Sequence, residues 1–256
     1  VDCDWSSDVC SSRSAARRAY DQFFISANYA RQNVKLVGTD PGVSAAFNGG
    51  THMSFEDIGL MRNIPKLVVF EPSDPTSLKK LVEKNAYHKG NTYMRLHRKP
   101  ANIIYSENEE FELGKGKILF DGTDVTIIAT GVVMVNEAII AHELLSKRGI
   151  SSAVIDMHTI KPIDTELVLT YAKKTGIIIT CENHQVVNGL GSAVAETLSE
   201  NQPTLLKRIG VNDEFGEVGT QDYLQKRYGL TAENIVETIE EVLKIKQNGY
   251  AKNDHR

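Results

Sequence analysis

The chain has no excess of positive charge: Lys and Arg number 29 against 33 Asp and Glu, for a net charge of −4. A general nucleic-acid or membrane-surface protein needs a basic excess or a basic face, so both classes are disfavoured. No uninterrupted apolar stretch reaches the roughly 18 residues of a membrane span. The N-terminus lacks the basic-then-apolar order of a secretory leader, so a cytoplasmic location is expected. Cysteine is scarce: Cys3, Cys10 and Cys181 form no CxxC pair and have no companion ligands at metal spacing. Neither a disulfide framework nor a structural zinc is expected. The remainder, 41% hydrophobic and 24% charged over 256 residues, is the balance of a globular protein of one to two domains.

The opening VDCDWSSDVCSS shows no strand or helix period and holds the only Trp, Trp5. It looks like a translated sequencing adapter. Its composition cannot bury enough apolar surface to offset ordering costs of about 1 to 2 kcal/mol per residue. Residues 1–16 are therefore expected to be a disordered, non-native tail with Cys3 and Cys10 unpaired and Trp5 exposed. On that reading a strand is missing, and the first sheet is left with an open, aggregation-prone edge.

From Arg17 onward the pattern is regular. A helical stripe over Ala19–Gln32 precedes a β-branched strand at Val34–Val37. A helix is expected at Ser54–Met61, with Ser54 as N-cap and Asp57 in the capping-box position. Lys66–Phe70 reads as a buried strand, Ser73–Ser77 as a helix start and Thr92–Leu96 as a further strand. After a charged linker at 106–123, strands are expected at Val125–Ala129, Ala153–Asp156, Ile177–Cys181 and Leu205–Val211. Helices are expected at Val135–Lys147, Thr165–Lys174, Gly191–Glu200 and Thr231–Ile245, the last with Thr231 as N-cap, before a frayed tail at 248–256. Strands alternating with amphipathic helices imply an α/β fold with parallel sheets, because parallel strands need crossover helices. The expected domains are 17–105 and 124–247.

The segment Asn48-Gly49-Gly50-Thr51-His52-Met53 carries the strongest chemical signal. Paired glycines allow positive φ or close backbone approach to a ligand, and they deliver a Thr and a His where open parallel sheets bind ligands. An imidazole there can move protons near neutral pH; equally, it can be a structural histidine bonded within a glycine turn. Gly189-Leu-Gly191 at a helix start can cradle phosphate, but it lacks the third glycine of the dinucleotide fingerprint and reads better as a tight turn. Glu182 and His184 read as structural, and the run Glu107–Glu112 as a solvated face.

The segment GTDPGVSAAFNGGTHMSFEDIGLMRNIPKLVVFEPSDPTSLKKLV resembles the pyrimidine-binding domain of transketolases, in the form found in the C-terminal subunits of split enzymes. Lys161-Pro-Ile-Asp164, Thr180-Cys-Glu-Asn-His184, Gly189–Glu196, Phe215–Gly219 and Tyr228–Thr231 resemble the C-terminal domain of the same family. The resemblance implies a two-domain fold: an incomplete parallel-sheet pyrimidine-binding domain followed by a smaller α/β domain. It implies thiamine-diphosphate-dependent transfer of a two-carbon ketol unit between sugars.

By the same resemblance His52 is catalytic, at the substrate's hydroxyls and carbonyl oxygen, and Arg98 grips a substrate phosphate. Asn48 stands where many members carry Asp, and Asp40 where many carry His, so the sugar preference is expected to differ. The family's activating Glu and aromatic platform precede Arg18-Ala-Tyr-Asp21 and have no match here, and its Gly-Asp-Gly motif for the diphosphate and Mg2+ is absent. The resemblance thus implies an N-terminal partner subunit holding thiamine diphosphate and Mg2+, in a dimer of heterodimers acting on sugar phosphates, with the isolated chain inactive. The alternatives are the β subunit of a 2-oxo acid dehydrogenase and a non-catalytic assembly module.

Overall fold

Residues 6–11 and 14–251 are described by the structure, a computed structural model, with side chains over 16–246. The first strand, β1, runs Ser6–Ser11. A helical segment follows, π-wound at Ser14–Arg18 and Phe23–Tyr29 around a short α1 (Tyr20–Gln22). Then come β2 (Val34–Thr39), a 3-10 segment at Gly42–Asn48, α2 (Asp57–Arg62), β3 (Val68–Phe70), α3 (Pro75–Tyr87) and β4 (Thr92–Leu96). The second half contains β5 (Lys117–Phe120), β6 (Val125–Ala129), α4 (Gly131–Lys147), β7 (Ser152–Asp156), β8 (Thr159–Lys161) and α5 (Thr165–Thr175). It ends with β9 (Ile177–Gln185), α6 (Leu190–Asn201), β10 (Leu205–Val211), α7 (Gln221–Arg227) and α8 (Ala232–Ala251).

Two mostly parallel sheets result, in the orders β1-β2-β4-β3-β8 and β10-β9-β6-β7-β5. Each ends in one antiparallel strand: β8 pairs with β3, and β5 with β7. In the second sheet β6 is buried throughout and its residues divide between two layers. Ile127 and Ala129 pack with Met134 and Ala138 of α4 and Ile235 and Ile239 of α8. Ile128 packs on the other face with Val168 of α5 and Val194 of α6. Burial on both faces explains why this strand reads as an unbroken apolar run. The cores continue across the halves, since Val43, Met53 and Phe55 join the first cluster and Ile58 and Met61 the second.

Several expectations are corrected. Ser6–Ser11 is a strand paired in parallel with β2 along its whole length, from Ser6↔Val34 to Ser11↔Thr39, so that edge of β2 is covered. Strand pairing runs through backbone N–H and C=O groups, which a Ser-rich segment also carries, whatever apolar surface its side chains bury. Cys3 and Trp5 lie outside the described residues, as does the side chain of Cys10. The segment read as linker contains β5. Its acidic residues Glu107, Glu110 and Glu112 are exposed, while Phe111 anchors it in the core. The last helix runs through Ala251, beyond the start of the expected frayed tail, and 252–256 lie outside the described residues. Thr231 Oγ1 accepts the Asn234 N–H at 3.4 Å, as expected of an N-cap.

The helix expected to start from Ser54 begins at Asp57, and its N-cap residue Glu56 makes no side-chain cap. Asp57 is fully buried and turned into the core, where Arg95 holds it. By contrast α3, opening within the expected Ser73–Ser77 segment, is capped on both sides: Asp74 Oδ1 accepts from the Ser77 backbone N–H at 2.6 Å, and Ser77 Oγ accepts from the Asp74 N–H at 3.0 Å.

Candidate active site

The site rests on a buried charge cluster. Arg95, in β4, is completely buried, with Nε 2.8 Å from Asp57 and Nη1 3.2 Å from Glu71. Its Nη2 donates to the carbonyls of Ser54 and Asn183, and Tyr93 OH donates to Asp57 at 2.7 Å. Burial alone would raise the Asp57 carboxyl, but Arg95 and Tyr93 bring it below its ordinary value. Glu71 shares the guanidinium, yet burial and the Asp57 charge leave it above the usual range. One cation thus fixes the start of α2, the ends of β3 and β4, and a carbonyl of β9.

Above this cluster the chain leaves β2 through Asp40 (φ 57) and turns through Gly42 (φ 52) and Ala46 (φ 46, ψ −117) to Gly49 (φ 69). Asn183 of β9 clasps the turn, accepting from the Val43 N–H and donating to the Pro41 carbonyl, both at 3.0 Å. A Cβ on Gly42 would lie 2.0 Å from the Asn183 amide oxygen, so only glycine fits. Ala46 holds a conformation that costs about 1–3 kcal/mol and survives where the surroundings impose it. Gly50 approaches another backbone, since a Cβ there would sit 2.0 Å from the Gly216 carbonyl oxygen. The close approach foreseen for a ligand is spent, at Gly50, on the loop before α7.

This turn walls a cleft of about 680 Å³ lined by Asp40, Ser44, Phe47, Asn48, Arg98, Lys99, Thr220 and Gln221, among others. Arg98 forms an ion pair with Asp40, its own side chain being 61% exposed and that of Asp40 only 9%. Asp40, Asn48 and Arg98 therefore come together, although they are spread over both sides of α2 and α3 in the sequence. His52 is not among the residues lining the cleft. It is exposed, with Thr51, at the end of the Gly49–His52 turn, with Nδ1 3.0 Å from Thr51 Oγ1. The sequence reading missed Ser44, His97, Lys99, Thr220 and Gln221. His97 stands behind Ser44, with Nδ1 3.1 Å from its Oγ. Burial and the Lys99 charge lower the His97 imidazole, against the pull of Asp40. The only signal available was the run His97-Arg98-Lys99, which places three nitrogen bases after one strand.

The other features are structural. The N–H groups of Leu190 and Gly191 donate to Glu182 at 2.7 and 2.8 Å, so a carboxylate of the chain fills the α6 N-terminus where a phosphate was conceivable. Burial pushes the Glu182 carboxyl up to about 7 against those two donors. His184 Nε2 accepts from the Gly59 N–H at 3.2 Å, so Nδ1 bears the proton and donates to the Gln185 carbonyl at 2.7 Å. Burial and the Arg95 charge lower this imidazole to about 4.

Comparison with known proteins fixes the family. The profile of the transketolase pyrimidine binding domain matches residues 9–102, and that of the transketolase C-terminal domain matches 114–235. The 6-deoxy-6-sulfo-D-fructose transketolase subunit SqwH of Clostridium sp. (strain MSTE9) is 52% identical over 232 residues, covering 91% of this chain and 72% of SqwH. The chain belongs to the transketolase family. A putative transketolase C-terminal section of Methanocaldococcus jannaschii is 43% identical over 233 residues, covering 90% of this chain and 72% of its own length. One subunit of the apulose-4-phosphate transketolase of Phocaeicola vulgatus is 39% identical over 229 residues, covering 89% of this chain and 72% of its own length. A solved split-gene transketolase, described as an inactive β4 tetramer, superposes with a TM-score of 0.87 at 39% identity, covering 94% of this chain and 76% of that one.

As a transketolase subunit, the chain is part of a thiamine-diphosphate-dependent transferase. Among the described residues no group of three His, Cys, Asp or Glu could hold a metal ion, and the α6 N-terminus is closed by Glu182. What the chain offers is an open cleft with one ion pair, a lysine, two amides and two hydroxyls. Among the described residues, no helix is long and apolar enough to cross a membrane.

Proposed function

We propose that this chain is the C-terminal subunit of a split transketolase. It presents the sugar-binding cleft, while a separate N-terminal subunit holds thiamine diphosphate and Mg2+. The complex is a cytoplasmic dimer of heterodimers, and the chain alone is inactive. The observation that carries this reading is the cleft where Asp40, Asn48 and Arg98 converge, with no group of three His, Cys, Asp or Glu among the described residues that could hold a metal ion. Arg98 can grip a terminal anion of the sugar through its guanidinium fork, Asp40 can accept from a hydroxyl, and Asn48 can both donate and accept. His52, exposed in this chain, hydrogen-bonds the substrate's hydroxyls and carbonyl oxygen and exchanges a proton there once a partner subunit covers it. The names of two relatives, one acting on a sulfo-sugar and one on a sugar phosphate, support an acidic group at the far end of the sugar.

Calorimetry with thiamine diphosphate and Mg2+ tests the division of labour. The chain alone is expected to show no tight binding, and addition of the N-terminal subunit to restore both binding and ketol transfer. Sub-micromolar binding by the chain alone would overturn the two-subunit reading.

A further inference from the structure

The charges lining the cleft do not all cancel. Asp40 and Arg98 neutralise each other as an ion pair, and Lys99 is the remaining charged residue of the lining. Lys99 is exposed, and a free lysine there would spread its charge over many rotamers. Here its Nζ donates to Gln221 Oε1 at 3.1 Å. Gln221 Nε2 donates to Gln225 Oε1 at 3.2 Å, and Gln225 Nε2 donates to Glu137 Oε1 at 3.1 Å. Glu137 Oε2 accepts the Ala232 N–H at 2.7 Å, at the start of α8.

The polarity of this chain of bonds is set from its far end. A carboxylate only accepts, so it takes the amide N–H of Gln225; that turns the Gln225 oxygen toward Gln221, and the Gln221 oxygen toward the lysine. Lys99 and Gln221 line both the cleft and an adjoining polar cavity of about 200 Å³, whereas Gln225 and Glu137 line only the adjoining cavity.

We propose that Lys99 is a specificity-determining residue for the terminal anion of the sugar, a sulfonate or a phosphate, and that Gln221, Gln225 and Glu137 of the C-terminal domain are positioning residues that hold it there. The proposal rests on the reading of the cleft as the sugar site. Arg98, already paired with Asp40, supplies directional hydrogen bonds, and Lys99 supplies the net charge that separates an anionic sugar from a neutral one.

The test uses the complex reconstituted with its N-terminal subunit, a 6-phosphorylated ketohexose, its 6-sulfonated counterpart and the unmodified ketohexose. Lys99→Met is expected to narrow the ratio of neutral to anionic KM on the order of tenfold, the worth of one charged hydrogen bond, with the loss carried by KM rather than kcat. Lys99→Arg should keep most of the ratio. Gln225→Met, which breaks the chain of bonds outside the cleft, should narrow it about threefold, which a purely structural role would not do. The wild-type preference between the sulfonated and the phosphorylated sugar tells which anion the site takes. If Arg98→Ala collapses the ratio while Lys99→Met leaves it within about twofold of wild type, this inference falls and the sugar site stands. A wild-type complex with no preference for either anionic sugar overturns both.

Discussion

Replacing Asp156 by Asn is expected to change how stability depends on pH. Asp156 ends β7 and is completely buried between the two domains. Its Oδ2 accepts from Ser73 Oγ at 2.5 Å and Tyr105 OH at 2.7 Å, while Oδ1 has no partner. Burial, aided by the charges of Asp74 and Glu71, pushes this carboxyl up to about 7 against the two hydroxyl donors. In the unfolded chain an Asp titrates at about 3.9. The folded state therefore holds the proton more tightly, so the stability this group contributes is full below about pH 4 and is lost as the pH rises to about 7. Between about pH 5 and about pH 8 the loss covers about two units at about 1.4 kcal/mol each, or about 3 kcal/mol. Asparagine cannot ionise, and its carbonyl can take the place of Oδ2 and keep both hydroxyl donors. Urea unfolding of the chain and of Asp156→Asn at both pH values gives the difference in stability at each. That difference is expected to move by about 3 kcal/mol in favour of the variant from the lower pH to the higher, whatever its offset. Parallel pH profiles would refute the reasoning, because they would mean that Asp156 is already ionised at the lower pH.

Three further outcomes are expected. Arg98→Ala in the reconstituted complex should raise KM for phosphorylated or sulfonated sugars by tenfold to about a hundredfold more than for neutral ones, and equal effects on both would reject anion recognition. His52→Ala should lower turnover of the donor ketose on the order of a hundredfold with cofactor affinity unchanged; near-normal turnover would leave His52 as the structural residue of a glycine turn. Gly50→Ala drives a methyl against the Gly216 carbonyl and should cost about 1–3 kcal/mol in urea unfolding. An unchanged midpoint would show that the loop before α7 yields freely.

Much of the architecture was legible because its signals are local. The apolar run Val125–Ala129 reads directly as a strand, and Ser73–Ser77 reads as a helix start. Ser6–Ser11 was not legible, because pairing with an open edge depends on the neighbour, β2, and not on the segment's own composition. Asp57 misled in the same way: an acid near a helix start usually faces the N–H groups, but here Arg95, 38 positions away, takes it into the core. In the site, the glycine turn stands out in sequence and Arg98 through the family resemblance, whereas His97 and Lys99 beside it carry no motif of their own. The share taken by Thr220 and Gln221 does not stand out either, because α7 carries no chemical motif and reaches the cleft only through the fold.

Strand β8 forms a seam between the two halves of the molecule. Thr159–Lys161 falls within the region matched to the C-terminal domain, yet its hydrogen bonds belong to the sheet of the pyrimidine-binding domain, opposite Val69 and Phe70. The boundary drawn by homology and the boundary drawn by backbone pairing therefore differ. A chimera joined at residues 103–113 would import from the donor relative one border strand of the recipient's first sheet. Parents differing at 159–161 would disagree on register before either domain was complete. For anyone recombining transketolase subunits, the natural unit of exchange is the whole two-sheet body, with β8 as the stitch that makes it one piece.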